Sequence, residues 1–399
     1  MGSSRGWRID VTCRAKHDTN IKDDSTPHHD GQKRGASIPC YDEGGMDGLM
    51  SYNSLVNPLT YNWNKVWVGY CDGGSFLGDV DEPVKFDSPF FKKGLLYFRG
   101  KAILEAVYDS LLRTQGLDKA TDVIVSGSSA GGLSVMLNID KISKIIKAGS
   151  SAKKKPKVVG VVDAGFFLDV KAYDGKSYGM RDIQNFKNII EMQNVKHGGA
   201  LSPKCLATMS AEDAWKCMLP QYFLQYVDTP LFIVQSIIDS YQWQYVFRLD
   251  CEPKRKSTCS ENEIKYLKGI RKTFANAIRS DERKHDGWWV TKCLAHTIVD
   301  RNFLWQDYEI SGKRLGQSVI AWYEGHDDEQ EALKWRVFDD AWDTKSMDCA
   351  DTPGGDSKFK LRKRNGLEGG DEEAGLVEVP KRGHHKHHRH NRANRGAED

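Results

Sequence analysis

Apolar residues in this chain fall into short runs that switch between two spacings. NKVWVGYC, from Asn64, alternates apolar and polar positions with period two, which predicts a strand. LLYFRGKAILEAVYDSLLRTQG reads as a helix. Ile103, Val107 and Leu111, or Leu104, Tyr108 and Leu111, share a face at i, i+3/i+4 spacing, and Gly116 suits the C-terminal end. DVIVSGSS reads as a strand and turn, and GGLSVMLNIDKISKII as a helix. KVVGVVDAG and TPLFIVQSIID are continuous apolar runs, the pattern of strands covered on both faces. Strands alternating with helices predict an α/β domain on a mostly parallel sheet. No internal repeat or linker interrupts the pattern, so residues 46–356 read as one domain with loop insertions.

The two ends read differently. Residues 1–45 are polar and show no strand or helix period, so they are expected to be irregular. Residues 357–399 end in KRGHHKHHRHNRANRGAED, basic and His-rich, with no apolar residues from which to build a core. A disordered, solvated tail is the preferred reading, and a metal-binding histidine tract the alternative. Positive and negative charges nearly cancel, at +3 over 399 residues, so the overall field does not point to nucleic acid. No run of 18 apolar residues is present to span a membrane. MGSSRGWRID has no apolar export signal. The nine cysteines point the other way. Cys205 with Cys217, and Cys251 with Cys259, are short-spaced loop pairs without C-x-x-C metal spacing. They read as disulfides formed in an oxidising compartment. The odd count leaves at least one thiol over.

Candidate chemistry enters at Gly127-Ser128-Ser129-Ala130-Gly131, between the predicted strand and helix. A plain strand-to-helix turn would also use glycines here. The pattern G-x-S-x-G instead describes a sharp turn that presents a serine at a strand tip. Catalytic groups in such sheets stand at the carboxyl ends of strands. Those ends supply Ser129, Asp163 and Asp239, and His296 follows a further short β-like stretch. The order Ser129, Asp239, His296 is that of serine hydrolases built on an α/β sheet. Serine needs an adjacent base to become a nucleophile. Imidazole can take and return the proton near neutral pH. A carboxylate holds the imidazole in the right tautomer. Asp163 is a rival acid on local sequence alone. Asp239 can also be read as a helix cap, and His296 as an ordinary hydrogen-bonded histidine.

Five segments, within about Gly48 to Asp351, resemble the pectin acetylesterase and Notum carboxylesterase family. They are NPLTYNWNKVWVGYCDGGSFLGD, GSSAGG, DAGFFLD, PLFIVQSIIDSYQWQ and CLAH, in that order. The resemblance implies an α/β-hydrolase-like fold. It also implies ester hydrolysis by Ser129, His296 and Asp239 without metal or other cofactor, and Asp163 as a pocket or structural residue. The implied partner is an acetylated, pectin-like polysaccharide outside the cell or in the cell wall. Two alternatives stay open: a Notum-like deacylase acting on an acylated protein, and a catalytically impaired homologue that binds a glycan or a partner. Family members carry an upstream strand ending in Glu-Gly-Gly-Gly-Trp-Cys, whose backbone N–H groups help form the oxyanion hole. Here Gly6-Trp7 reads as its remnant, with Arg8 in place of cysteine, so the N-terminal strands are expected to be missing. Gly6, Trp7 and Ala130 are the expected oxyanion donors. Cys293 with Cys349 is a pair by resemblance, and Cys13 with Cys40 an option. Cys71 is left without its usual upstream partner.

Overall fold

The computed structural model describes residues 6–10, 47–70, 73–88, 91–174, 182–195, 201–251, 258–279 and 283–339. Within them, seven strands form one sheet. They are Gly6–Asp10 (β1), Asn64–Trp67 (β2), Asp122–Ser128 (β3), Lys157–Asp163 (β4), Leu231–Ser236 (β5), Gly287–Thr291 (β6) and Arg336–Phe338 (β7). The spatial order is β7-β6-β5-β4-β3-β1-β2, and every neighbouring pair is parallel.

The continuous apolar runs follow from burial on both faces. Every residue of β5 and β6 is buried. Successive side chains of a strand point to opposite faces. Val123 and Val125 therefore enter one core, with Leu104 and Tyr108 of helix Gly100–Thr114 (α1) and Leu133 and Ile139 of helix Ala130–Gly149 (α2). Helix Glu261–Ile278 (α3) adds Leu267, Ile270 and Phe274 to that core. Ile124, Phe232 and Val234 enter the opposite core, against Leu315, Val319 and Trp322 of helix Leu315–Gly325 (α4). The α1 face uses Leu104, Tyr108 and Leu111; Ile103, of the other stripe legible in the sequence, is exposed. Gly116, just past the helix, has a left-handed φ of 82°. The segment before α1 is not helical: Phe91–Leu96 pairs antiparallel with Val84–Ser88 as a hairpin.

One expectation at the N-terminus is corrected. Gly6–Asp10 is a strand inside the sheet, paired with β2 on one side and β3 on the other. Five residues with two apolar positions carry too little period to be recognised locally. Pairing with strands more than fifty residues away in sequence orders the backbone instead. The chain moves outward from β1 to β2, then crosses back to β3 and continues the other way. In sheets of this kind such a reversal marks the carboxyl ends of β1 and β3 as the usual ligand position.

Cys205 pairs with Cys217 and Cys251 with Cys259, at Cα separations of 5.9 and 4.8 Å. The expected bridge from Cys293 to Cys349 involves a residue outside those described. Cys293 is a buried thiol, packed with Trp289, Ala295 and Ile298 in the α4-side core. Cys13, Cys40, Cys71 and Cys349, and the tail after residue 356, lie outside the described residues. No helix among the described residues is long and apolar enough to cross a membrane.

Candidate active site

Ser129, between β3 and α2, has φ 59° and ψ −125°, a conformation costly for any residue with a Cβ. Its N–H donates to the Asp163 carbonyl at 2.8 Å, and its carbonyl accepts Leu133 N–H at 3.0 Å. These two bonds turn the chain from β3 into α2 and hold the serine at the tip. The turn needs close backbone approach. A Cβ on Gly132 would stand 2.8 Å from the Asp163 carbonyl oxygen, and one on Gly165 would stand 2.5 Å from Gly132 C. The glycines of GSSAGG and DAG thus let α2 begin directly against the end of β4.

His296 lies in the loop after β6. Its Nε2 is 2.7 Å from Ser129 Oγ and its Nδ1 is 2.8 Å from Asp239 Oδ2. The histidine side chain is 20% exposed, while Asp239 is fully buried. Asp239 follows β5. Its Oδ1 accepts Tyr241 N–H at 2.9 Å and Gln242 N–H at 3.0 Å, and its Oδ2 also accepts from Gln235 Nε2 at 3.2 Å. Both oxygens of the buried carboxylate are therefore hydrogen-bonded, as a buried charge requires. Gln235 also accepts Phe166 N–H at 3.0 Å, linking the end of β5 to the segment after β4. The acid and histidine loops are joined directly as well, Ile237 N–H donating to Thr291 O at 2.9 Å.

The rival acid, Asp163, sits elsewhere. Its carboxylate accepts Ser128 Oγ–H at 2.9 Å, Ile298 N–H at 2.9 Å and Val299 N–H at 3.1 Å. Burial pushes its carboxyl up to about 6, against the pull of these donors. It ties the turn before Ser129 to the loop just after His296 and does not touch the imidazole nitrogens. Thr297, between them, has φ 61°, and Ala164, after Asp163, has φ 50°. The serine turn, the segment after β4 and the histidine loop thus each hold a non-glycine residue in the left-handed region, a strain that surrounding packing must maintain.

Ala130 is the first residue of α2, so its N–H has no intrahelical acceptor and stands beside Ser129. Gly6 and Trp7 are not brought to the site. Gly6 pairs with Asp122 and Trp7 with Val123, at the start of β3. Parallel strands share direction, so both lie at the amino end of the sheet, roughly 20 Å from Ser129 at about 3.3 Å per residue. The expected oxyanion role for them is corrected on that ground.

Sequence reasoning missed Gln235, the lone amide in LFIVQS, and Arg301, whose Nη2 donates to the His296 carbonyl at 3.0 Å. A polar residue inside a fully buried strand is the signal that would have found Gln235; Arg301 carries no such signal. Two cavities of about 350 and 420 Å³ lie away from this chemistry. One is beside Trp305 and Arg314, the other beside Lys204 and His285. Neither is lined by Ser129, Asp239 or His296, and the convergence of those three side chains is the stronger guide to function.

Comparison with known proteins bears on the family and the fold. The pectinacetylesterase family profile matches residues 14–350. Pectin acetylesterase 5 of Arabidopsis thaliana is 32% identical over 305 residues, covering 73% of this chain and 66% of the relative. The palmitoleoyl-protein carboxylesterase NOTUM of Schmidtea mediterranea is 26% identical over 296 residues, covering 73% of this chain and 51% of the relative. The chain thus spans two thirds or less of these two relatives' lengths. The crystal structure of the Drosophila Wnt deacylase Notum superposes with a TM-score of 0.63 at 19% identity, covering 85% of this chain and 88% of that one. That likeness establishes the α/β-hydrolase-like architecture. With an α/β-hydrolase-like sheet and a profile match over most of its length, this chain belongs to the pectinacetylesterase family, whose named members are carboxylic ester hydrolases.

Proposed function

We propose that the chain is a serine carboxylesterase acting through Ser129, His296 and Asp239, with acetyl esters on a pectin-like polysaccharide as its substrate. The observation that carries this reading is the position of His296, hydrogen-bonded to Ser129 Oγ at one nitrogen and to Asp239 at the other. His296 Nε2 takes the serine proton as Oγ bonds to the acyl carbon. The carbonyl π electrons move onto oxygen, and Ala130 N–H donates to that oxyanion. Asp239 holds Nδ1–H and stabilises the imidazolium. The alcohol then leaves with the proton from Nε2, and the acyl group stays on Ser129. Water, losing a proton to His296, attacks the acyl carbon. The bond from the acyl carbon to Oγ then breaks and Nε2 returns its proton to Oγ, giving the free acid and regenerated Ser129. Support for the acetyl–polysaccharide substrate comes from family membership and from the greater identity to a pectin acetylesterase than to a Notum. The two disulfides fit a secreted or cell-wall protein.

The test is Ser129→Ala. Hydrolysis of p-nitrophenyl acetate and acetate release from acetylated pectin should fall by several orders of magnitude while the unfolding midpoint holds. Wild-type turnover in the purified variant would overturn the assignment.

A further inference from the structure

The loop that carries Asp239 reaches His296 by two routes. The Asp239 carboxylate meets Nδ1 at the ring edge, at 2.8 Å. Two residues on, the Tyr241 ring stacks on the imidazole face, at a centroid distance of 5.4 Å and an interplanar angle of 30°. The backbone fixes it there. Asp239 caps the short helix Ser240–Gln242 and takes the Tyr241 N–H on Oδ1 at 2.9 Å. Ser240 N–H donates to the Ala295 carbonyl at 3.4 Å, so the residues just before Tyr241 and just before His296 are bonded to each other. The half-buried Tyr241 ring is held in turn by Phe167, edge-on at 6.0 Å, and by Tyr245 at 4.9 Å between ring centroids.

We infer that Tyr241 is a positioning residue for His296, needed most after Ser129 has been acylated. This deepens the carboxylesterase reading and rests on it. In the free protein, hydrogen bonds to Ser129 and Asp239 grip the imidazole at both nitrogens. Once Ser129 carries the acyl group, its Oγ has no proton to donate, and Nε2 must hold the attacking water instead. Of the two protein hydrogen bonds, only the one at Nδ1 then remains, and a single edge contact leaves the ring plane free to swing about it. The aromatic contact on the ring face does not depend on Ser129, so it persists through both half-reactions. It also favours the charged form of the base, because an imidazolium is attracted to the negative face of an aromatic ring. Tyr241 thus keeps Nε2 aimed at the water whose proton it takes.

The experiment separates acylation from deacylation. p-Nitrophenol is a good leaving group, so with p-nitrophenyl acetate acylation outruns deacylation. The turnover number kcat then reports deacylation, and kcat/KM reports acylation. Stopped-flow release of p-nitrophenol would be followed in the full chain as wild type, Tyr241→Leu and Tyr241→Phe, with active sites counted by a fluorophosphonate. Leucine fills much of the space without presenting a ring face. In Tyr241→Leu, kcat and KM should both fall about tenfold, with kcat/KM within about threefold of wild type and a burst stoichiometric with active sites. Tyr241→Phe should restore most of kcat. Wild-type kcat in Tyr241→Leu overturns the inference. Equal loss of kcat and kcat/KM also overturns it, because a general distortion of the site slows both steps. Loss of kcat in Tyr241→Phe as large as in Tyr241→Leu overturns it too, since the effect would then lie in the hydroxyl. Failure of the carboxylesterase reading shows separately, as p-nitrophenol release by the wild type no faster than by Ser129→Ala.

Discussion

The carboxylate of Asp163 accepts the backbone N–H of Ile298 at 2.9 Å, two residues beyond His296, while the carbonyl of Asp163 accepts Ser129 N–H at 2.8 Å. One residue at the end of β4 thus holds both the serine turn and the histidine loop. The distance between Ser129 and His296 therefore depends on a residue outside the proposed triad.

Asp163→Ala should therefore damage both stability and rate. It strips acceptors from two buried backbone N–H groups, at roughly 1–3 kcal/mol each. Turnover should fall in whatever fraction remains folded, because the His296 loop is no longer tied down. Asp163→Asn keeps one carbonyl acceptor and should fall between the two. Denaturant midpoints and turnover on p-nitrophenyl acetate check this. An alanine variant with both values unchanged would contradict the clamp.

The same residue predicts a pH dependence. Its folded-state carboxyl is pushed up to about 6 by burial, above the usual carboxylate value. Between those values the folded protein binds more protons than the unfolded chain. This contribution to stability is fully present below the unfolded value and is lost as pH rises through about 6. A tenfold difference in proton affinity between the folded and unfolded states is worth about 1.4 kcal/mol, so the effect is on the order of a few kcal/mol. Unfolding of wild type and Asp163→Asn, compared from about pH 4 to pH 7, should show this slope only in the wild type. Parallel curves would refute the account.

Asp239→Asn should lower turnover about 10⁴-fold with little change in folding, by favouring the wrong imidazole tautomer. The carboxylate takes Tyr241 and Gln242 N–H on one oxygen and His296 on the other, so the amide can keep the first set and lose the second. A kinetic comparison at fixed pH decides it; a loss below tenfold would remove Asp239 from the proposed mechanism.

Gly165→Ala should be damaging although the added group is a single methyl. The Cβ would stand 2.5 Å from Gly132 C and 2.6 Å from Leu133 N, all rigid backbone. Overpacking of this kind costs about 1–3 kcal/mol, and relief requires α2 to move off β4, carrying Ser129 with it. Turnover should drop more than the midpoint suggests. A variant with wild-type kinetics would mean that the approach of α2 to β4 is not constrained.

Replacing Cys205 and Cys217 by serine should lower stability by about 3 kcal/mol, the expected worth of closing a short loop. Both sulfurs are buried in the α1-side core, so packing adds to the chain-entropy effect. Thermal unfolding with and without reductant checks this, and the double variant should be less sensitive to reductant than the wild type, with Cys251–Cys259 still reducible.

What the sequence determined alone was local. The turn from Asp122 into α2 was legible because strand period, Gly-Ser-rich turn and helix period adjoin within thirty residues. The loop disulfides were legible because their cysteines are 12 and 8 residues apart. The choice between Asp163 and Asp239 was not settled by local pattern, since both follow apolar strands in the same way. Tertiary structure brings Asp239 across 57 residues of sequence to the imidazole and turns Asp163 toward Ser128 and the 298–299 backbone. The strand at Gly6–Asp10 and its direction likewise arise from pairing with distant β2 and β3, which no local period encodes. Periodicity reports which face of an element is buried. Which strand ends meet depends on sheet order, and sheet order is decided by packing between elements far apart in the chain.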